Sequence, residues 1–303
     1  MEKYERLEVE LRRAVPDLEI RSKEPMYEHT TFRVGGPAAL MALPKSEEEV
    51  VEAVRISAKL DCWPLFVGNG SNLLVDDAGL NAFVIKTVPG LCRCTVAGNR
   101  ISAMSGIRLA QFAAEAANHG LTGLEFSHGI PGSLGGAVVM NAGAYDGEMR
   151  HVISSVRAVD RGGQLRELDR EACNFSYRHS AFSEGDFFVV SASAELRHGD
   201  REEIIARMDE LMAKRRAKQP LEYPSAGSTF KRPQGHFAAA LIESCGLKGF
   251  AIGGAQVSEK HAGFVINRGG ATSRDILELM DAVRERVYRE AGVTLEPEVR
   301  YWK

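Results

Sequence analysis

The spacing of apolar and polar residues predicts that helices and strands alternate along the first part of the chain. Ser46 and Glu49 have the spacing of a helix-capping box, and the apolar positions after them predict a helix that runs through Lys59. Two short apolar runs, at residues 66–67 and 83–85, are typical of buried strands. The pattern therefore indicates a small α/β unit at the start of the chain.

The middle of the chain shows a second unit of the same kind. A helix is predicted from Leu109 to His119, because the apolar spacing is helical and Gly120 follows as a stop signal. Runs rich in β-formers, at residues 152–159 and 187–196, predict strands after it. A long glycine-rich segment lies within this unit.

The last third of the chain is predicted to begin and end with helices. Asp200 and Glu203 are spaced to cap a helix that reaches about Lys218, where Pro220 prevents its continuation. A final helix is predicted from its caps, Thr272, Asp275 and Gly292, and from its apolar stripe, Ile276, Met280, Val283 and Val287. With no internal repeat, the pattern predicts three domains, at residues 1–90, 91–199 and 200–303.

Composition and charge narrow the class of protein. The chain has 303 residues, of which 44% are hydrophobic and 26% are charged, as in ordinary globular proteins. A net charge of -3 argues against nucleic acid as the main partner, and the apolar runs are too short to predict a membrane span. Five cysteines without paired ligand spacing favour reduced thiols over a disulfide framework or a metal site. We expect a cytoplasmic protein without bound metal.

Two glycine-rich loops are the strongest signal for a bound ligand. Residues 129–137 hold four glycines and a proline, and residues 68–72 read Gly-Asn-Gly-Ser-Asn after an apolar run. Leu73 stands where a Rossmann motif needs its third glycine, and no Gly-Lys-Ser/Thr of a P-loop follows either segment. Either loop alone is explained equally well as a tight turn. Together they favour a cofactor that carries a diphosphate.

Three further clusters combine reactive or charged side chains. Ser228 follows a glycine and precedes two cations, Arg178 lies among aromatic residues, and Glu298 and Arg300 share one face of a predicted strand. The residues alone leave ordinary explanations open, namely a solvated turn, a surface strand and an exposed ion pair. No Ser-His-Asp triad can be assigned from spacing.

The order of these motifs resembles that of UDP-N-acetylmuramate dehydrogenases, the MurB family, and in particular its shorter, type II branch. The resemblance covers nearly the whole chain and is carried by six segments in family order: Thr31-Phe32-Arg33-Val34-Gly35-Gly36-Pro37, Gly68-Asn69-Gly70-Ser71-Asn72, Gly129-Ile130-Pro131-Gly132-Ser133 with Gly135-Gly136, Tyr177-Arg178, Ala226-Gly227-Ser228 and Glu298-Val299-Arg300.

This resemblance implies a fold, a cofactor and a reaction. The fold is α+β, with a two-subdomain FAD-binding part of the vanillyl-alcohol-oxidase (PCMH) type at residues 1–90 and 91–199, and a C-terminal α/β substrate domain at 200–303. The cofactor is noncovalent FAD, with NADPH as the reductant. The reaction reduces the enolpyruvyl group of UDP-N-acetylglucosamine enolpyruvate during peptidoglycan precursor synthesis.

The resemblance also assigns residues. Arg178 and Glu298 match the pair that stabilises the charged intermediate, and Ser228 matches the proton donor. The implied cofactor contacts are Arg33, Gly68, Asn69, Gly70, Ser71, Asn72, Gly129, Ile130, Pro131, Gly132, Ser133, Gly135, Gly136, Ala137 and Asn141. The implied substrate contacts are Tyr177, Lys218, Tyr223, Lys231, Arg232 and Arg300. Some family members carry asparagine where this chain has Arg232, so a neutral contact does not transfer to that position.

Two other functions stay open at this stage. One is a different FAD-dependent oxidoreductase of the same fold, and the other is a nonenzymatic nucleotide-sugar binder. For the main hypothesis we expect a small-molecule nucleotide sugar as partner, with no nucleic acid, no membrane span and no obligate protein partner.

Overall fold

The computed structural model of the protein describes residues 3–303. Its α-helices are α1 (Lys3–Ala14), α2 (Glu47–Lys59), α3 (Leu109–Asn118), α4 (Leu134–Val139), α5 (Arg201–Lys218), α6 (Ala238–Ser244) and α7 (Ser273–Ala291). Within these described residues, no helix is both long and apolar enough to cross a membrane.

The strands are mostly short. They are β1 (Glu19–Pro25), β2 (Pro37–Leu43), β3 (Leu65–Val67), β4 (Leu73–Val75), β5 (Leu80–Lys86), β6 (Cys94–Ala97), β7 (Arg100–Met104), β8 (Leu121–Thr122), β9 (Gly143–Ala144), β10 (Gly147–Glu148), β11 (Ile153–Asp160), β12 (Leu165–Asp169), β13 (Phe187–Glu195), β14 (Arg197–His198), β15 (Ala251–Ile252), β16 (Ala255–Val257), β17 (Val265–Asn267) and β18 (Arg300–Trp302).

The predicted helix boundaries are confirmed where a cap was visible in the sequence. The Ser46 side chain accepts a hydrogen bond from the Glu49 N–H at the start of α2. Thr272 and Asp275 form the predicted capping box of α7, and Gly292 ends that helix in the left-handed conformation, with φ of 68°. Helices α1, α4 and α6, which lack such paired signals, were not predicted.

The chain divides into two compact units. The first unit comprises residues 3–22, Leu40–Asn69 and Ala82–Lys214, and the second comprises Lys23–Ala39, Gly70–Asn81 and Arg215–Lys303. Each unit is therefore built from several stretches of chain. The division into domains at residues 1–90, 91–199 and 200–303 stays a prediction.

The first unit contains two hydrophobic cores. A five-stranded antiparallel sheet, in the order β12-β11-β13-β7-β6, packs against α3 and α4 around residues such as Phe112, Leu134 and Val156. Most of the four-stranded sheet β1-β2-β5-β3 also belongs to this unit, and it packs with α1 and α2 around a second core. The first glycine-rich segment follows β3, and the second forms the turn before α4 and the start of that helix.

The second unit is organised around α7. The predicted apolar stripe of that helix is buried, and Phe32 and Leu74 belong to the same core. Strands β15, β16 and β17 form an antiparallel sheet, while β18 pairs with β4 in parallel. This pairing aligns Arg300 with Leu73, so the residues after the first glycine-rich loop lie beside the segment that contains Glu298.

Candidate active site

Within the first unit, the two glycine-rich segments contact each other at Gly68 and Asn69. The Asn69 Nδ2 donates to the Pro131 carbonyl at 2.7 Å. A Cβ atom at Gly68 would lie 2.0 Å from the Ser133 Oγ, which excludes any other residue at this position without a shift of its neighbours. The structure thus brings together residues that the sequence predicted to hold one cofactor.

The loop of residues 68–71 offers unused main-chain donors. Within residues 3–303, the N–H groups of Gly68, Asn69, Gly70 and Ser71 donate to no other protein group. The Lys86 Nζ donates to the Gly68 carbonyl at 2.6 Å. Burial, together with the positive charge of Arg108, lowers the pKa of Lys86 to about 8. Successive free amides beside a cation suit an anion, so this donor set fits the diphosphate of FAD.

The segment of residues 129–137 is different, because most of its N–H groups donate hydrogen bonds to other protein groups. The N–H of Gly135 donates to the Ser105 carbonyl at 2.8 Å, and that of Leu134 donates to the Ile107 carbonyl at 2.9 Å. A Cβ at Gly135 would lie 2.7 Å from the Ser105 Cβ. These glycines therefore allow α4 to pack closely, rather than forming a second open cradle.

The other predicted residues of this segment lie before and within α4. The Gly132 carbonyl accepts from the Leu109 N–H, and the Ser133 side chain caps α4 by accepting from the Gly136 N–H. Gly129, Ile130 and Pro131 form the turn before them, and Ala137 is buried in the helix. Ser105 Oγ and His128 Nδ1 are buried and have no hydrogen-bond partner among the described residues, which leaves two polar atoms beside the segment for a bound group to satisfy.

In the second unit, the segment that contains Arg33 is hydrogen-bonded to the segment that contains Gly70 and Asn72. Arg33 is exposed and left-handed, with φ of 56°. The Gly70 carbonyl accepts from the Thr31 N–H at 3.2 Å. The Asn72 Nδ2 donates to the Glu298 carbonyl at 3.0 Å, so this side chain contacts the segment of a predicted catalytic residue. Ser71 is half-buried in the turn between them.

Arg178 lies in a tight turn of the first unit, not in the surface strand considered from the sequence. Ser176 and His179 bond to each other across this turn, and Arg178 adopts a φ of 55°. Its guanidinium lies 5.3 Å from the ring centre of Tyr177, which is 49% exposed. A guanidinium stays charged at any working pH, so this side chain is chemically suited to an anionic ligand.

Asn141 connects this turn to the end of α4. Its Nδ2 donates to the Ser176 carbonyl and to the Glu148 carboxylate, both at 2.9 Å, and its Oδ1 accepts from the Arg150 N–H at 2.9 Å. The side chain is almost completely buried. Asn141 was predicted as a cofactor contact, and the structure shows its amide bound to protein groups next to Arg178.

Ser228 and Glu298 lie on adjacent main-chain segments of the second unit. The Glu298 N–H donates to the carbonyl of Thr229, the residue after Ser228, at 2.9 Å. Thr229 is held from its other side, since its N–H donates to Gly263 and its Oγ1 accepts from the Val265 N–H. The Ser228 side chain is exposed and that of Glu298 is half-buried. Glu298 and the predicted proton donor, Ser228, therefore lie on adjacent segments that main-chain hydrogen bonds hold together.

Most of the predicted substrate residues of the second unit are cations, of which Lys218 and Arg232 are exposed. Lys218 is the last residue of α5, and Tyr223 follows it in a turn with 41% of its surface exposed. Lys231 is paired with Glu296, and the Arg232 guanidinium lies 3.9 Å from the Phe237 ring centre.

A cavity of about 430 Å³ adjoins Lys231 and Arg232. It is lined by Lys231, Arg232, His236 and Thr294, among others.

Arg300, the remaining predicted substrate residue of this unit, lies at the start of β18. Its N–H donates to the Asn72 carbonyl.

Lys86 is the residue that sequence reasoning missed. It follows the apolar run of residues 83–85 directly and is 6% exposed. A lysine directly after a buried apolar run is a signal in itself, because burying its charge is costly. Such a residue is therefore a candidate for a functional role.

Two models of known families match this chain. Residues 219–302 match the C-terminal domain of UDP-N-acetylenolpyruvoylglucosamine reductase, and residues 38–169 match an FAD binding domain. The second match confirms the predicted FAD-binding fold and its cofactor.

Relatives align over nearly the full chain. The reductase of Clostridium kluyveri is 46% identical over 99% of this chain and 98% of its own. That of Syntrophomonas wolfei is 48% identical over 94% of this chain and 96% of its own. Both carry the name UDP-N-acetylenolpyruvoylglucosamine reductase.

Solved structures support the same conclusion. The reductase of Thermus caldophilus superimposes with a TM-score of 0.80 at 35% identity, covering 94% of this chain and 99% of its own. An alkyldihydroxyacetonephosphate synthase shares only the fold, with a TM-score of 0.51 at 17% identity over 65% of this chain and 41% of its own. From the domain matches and the full-length relatives, the chain belongs to the UDP-N-acetylenolpyruvoylglucosamine reductase (MurB) family.

Proposed function

We propose that this chain reduces UDP-N-acetylglucosamine enolpyruvate to UDP-N-acetylmuramate, using FAD and NADPH, in the synthesis of peptidoglycan precursors. The main support is the 46–48% identity to reductases of this name over nearly the whole chain. The adjacency of Ser228 and Glu298 through the Thr229 carbonyl adds independent support from geometry. Residues 1–199 are assigned to FAD and residues 200–303 to the substrate.

When bound and reduced by NADPH, FAD would supply the hydride for this reaction. The free amides of residues 68–71 and the Lys86 ammonium would hold its diphosphate. The role of the protein is then to bind the enolpyruvyl group, to stabilise its negative charge and to deliver one proton.

Arg178 and Glu298 are assigned to charge stabilisation. Addition of hydride to the terminal carbon of the alkene moves negative charge onto the substrate carboxylate. A guanidinium stays protonated at any working pH, so Arg178 can stabilise this charge directly. Glu298 helps only when it is protonated or when a donor bridges it to the substrate.

Ser228 is assigned as the proton donor. Its hydroxyl would transfer a proton to the carbon next to the carboxylate, which completes the lactyl ether: one hydride and one proton are added across the double bond. A serine hydroxyl is a weak acid, and it suffices here because the intermediate is strongly basic. The exposed position of Ser228 leaves its hydroxyl accessible to a substrate.

The nucleotide part of the substrate is assigned to the cationic surface of the second unit. Lys218, Lys231 and Arg232 are suited to a diphosphate. Tyr223 lies five residues after Lys218, and the cavity of about 430 Å³ adjoins Lys231. Tyr177 and Arg300 complete the proposed contacts. We place the reaction in the cytoplasm, without nucleic acid and without an obligate protein partner.

Anaerobic spectroscopy of the purified protein tests this function. We expect a yellow protein that releases intact FAD on denaturation, is bleached by NADPH and regains its oxidised spectrum when the enolpyruvyl nucleotide is added. Reoxidation by a different acceptor only would support another flavoenzyme of this fold. A colourless protein that binds the nucleotide sugar would support a nonenzymatic binder.

A further inference from the structure

We infer that Asn72 is a positioning residue that fixes the main chain of Glu298 through its side-chain amide. The inference rests on the proposed function, in which Glu298 acts on the substrate, and it concerns a residue that the sequence assigned to the cofactor loop. The observation that carries it is the hydrogen bond from the Asn72 Nδ2 to the Glu298 carbonyl, at 3.0 Å.

Asn72 bonds to the catalytic segment at two points. Besides the side-chain bond to Glu298, its carbonyl accepts from the Arg300 N–H at 3.0 Å. The parallel pairing of β4 with β18 begins one residue later, where Leu73 aligns with Arg300. Asn72 therefore sets the register of residues 298–300 before the strand pairing starts.

Glu298 lies outside β18, so the strand pairing does not hold it. Its N–H donates to the Thr229 carbonyl at 2.9 Å, and its carbonyl accepts from Asn72, so its two polar main-chain groups are held from opposite directions. One of these two bonds leads to the residue after Ser228. The other comes from the Asn72 side chain, and its loss would remove the bond to the Glu298 carbonyl.

The chemistry of this contact requires a donor. A carboxamide donates to a carbonyl, whereas the carboxylate of an aspartate would place one acceptor against another. Misplacement of a catalytic group by about 1 Å can slow a reaction on the order of 100-fold. We therefore expect Asn72→Ala and Asn72→Asp to slow the step in which Glu298 acts.

The surroundings of Asn72 should keep these variants folded. Strand β4 continues into Asp76, which accepts a hydrogen bond from the Tyr301 hydroxyl. Asp77 accepts from both the N–H and the Oγ of Ser273 at the start of α7, at 2.7 and 2.8 Å. These bonds anchor the strand independently of position 72.

The first test is amide hydrogen exchange of the holoprotein, which requires no turnover. In Asn72→Ala we expect the Glu298 and Arg300 N–H groups to exchange at least about 10-fold faster, because local opening no longer breaks the side-chain bond. Amides in the middle of α7 serve as the control for global unfolding and should not change. Unchanged exchange at Glu298 and Arg300 would overturn the inference.

The second test separates the two half-reactions. In Asn72→Ala and Asn72→Asp, flavin reduction by NADPH should stay within about twofold of wild type, while reoxidation by the enolpyruvyl nucleotide should slow about 10- to 100-fold. Asn72→Asp should recover as the pH falls towards the pKa of its carboxyl, because a protonated acid again donates a hydrogen bond, and Asn72→Ala should not. Asn99→Ala, in the exposed turn between β6 and β7, is the matched control and should behave as wild type.

The outcomes distinguish the two proposals. Failure of the wild-type protein to be reoxidised would refute the proposed function, and the exchange measurement would still decide whether Asn72 anchors Glu298. Normal reoxidation in wild type and in both Asn72 variants would overturn the inference alone.

Discussion

The turn that carries Arg178 and the paired segments that carry Ser228 and Glu298 are stabilised in different ways. The segments of Ser228 and Glu298 are joined by a main-chain hydrogen bond from the Glu298 N–H to the Thr229 carbonyl. Main-chain bonds of this kind survive almost any change of side chain. Substitutions at Ser228 and Glu298 should therefore change the chemistry more than the placement of the chain.

The Arg178 turn depends instead on side chains that reach the end of α4. Asn141 donates to the Ser176 carbonyl, and the hydroxyls of Ser180 and Ser183 donate to the Val139 carbonyl at 2.8 and 3.0 Å. The glycine-rich segment thus contacts the cofactor loop at its beginning and supports Arg178 at its end. Substitutions around α4 should therefore affect stability and the placement of Arg178 together.

The largest effect is expected from Asn141→Ala. The substitution removes one hydrogen bond each from the Ser176 carbonyl, the Glu148 carboxylate and the Arg150 N–H. The Ser176 carbonyl keeps the His179 N–H, and Glu148 keeps its ion pair with Arg150. Each lost hydrogen bond costs about 1–3 kcal/mol, and we expect the free energy of unfolding to fall by about 3 kcal/mol. Denaturant unfolding of the apoprotein measures this, with the exposed Asn99→Ala as control. Equal stability of the two variants would contradict the proposed support of the turn.

A smaller loss of stability is expected when the close packing of α4 is disturbed. The adjacent glycines Gly135 and Gly136 provide a matched pair of substitutions for this test. A Cβ at Gly135 would lie 2.7 Å from the Ser105 Cβ, whereas one at Gly136 would lie 3.6 Å from its nearest neighbour, the Ser133 Oγ. Gly135→Ala should destabilise the protein by about 2 kcal/mol through overpacking. Gly136→Ala should be neutral or stabilising by up to about 1 kcal/mol, because alanine favours the helix.

Measuring the FAD affinity of the two glycine variants adds a second test. If Gly136→Ala lowers FAD affinity without lowering stability, the bound cofactor lies against Gly136, as the family resemblance predicts. If both glycine variants are equally stable, the account of α4 as a closely packed support is wrong.

The pH dependence of stability provides a third test, which concerns Lys86. Its folded pKa of about 8 lies below the ordinary lysine value of about 10.4, so the unfolded chain binds more protons between these two values. The stability of the apoprotein should therefore rise with pH across this range, by about 2 kcal/mol between pH 7 and pH 10, relative to Lys86→Met. A constant difference between the two proteins over this range would show that Lys86 is not held in a desolvated position.

Local features of this protein could be predicted from the sequence where a residue type occurs in only a few backbone conformations or helix positions. Paired caps gave the start of α2 and both ends of α7, because each cap requires a particular side chain at a particular spacing. The two glycine-rich loops were recognised for the same reason. The FAD-binding fold itself followed from the order of six motifs rather than from any single one.

Contacts between distant residues could not be predicted in this way. Nothing near Asn72 indicates that its amide bonds to a carbonyl 226 positions away, or that Asn141 holds the turn of Arg178. The two glycine-rich segments look alike in sequence, yet one leaves its amides free and the other bonds them to residues 105 and 107. Such differences arise from tertiary packing, which a local pattern does not contain.

The proton-donor role of Ser228 is the central claim, and one rapid-reaction measurement tests it directly. In Ser228→Ala, anaerobic flavin reduction by NADPH should proceed within about twofold of wild type, while reoxidation by the enolpyruvyl nucleotide should be at least about 100-fold slower, as expected for the loss of a general acid. Ser225→Ala, whose main-chain carbonyl rather than hydroxyl accepts from Thr31, is the matched control and should reoxidise normally. Reoxidation of Ser228→Ala at the wild-type rate would contradict the account.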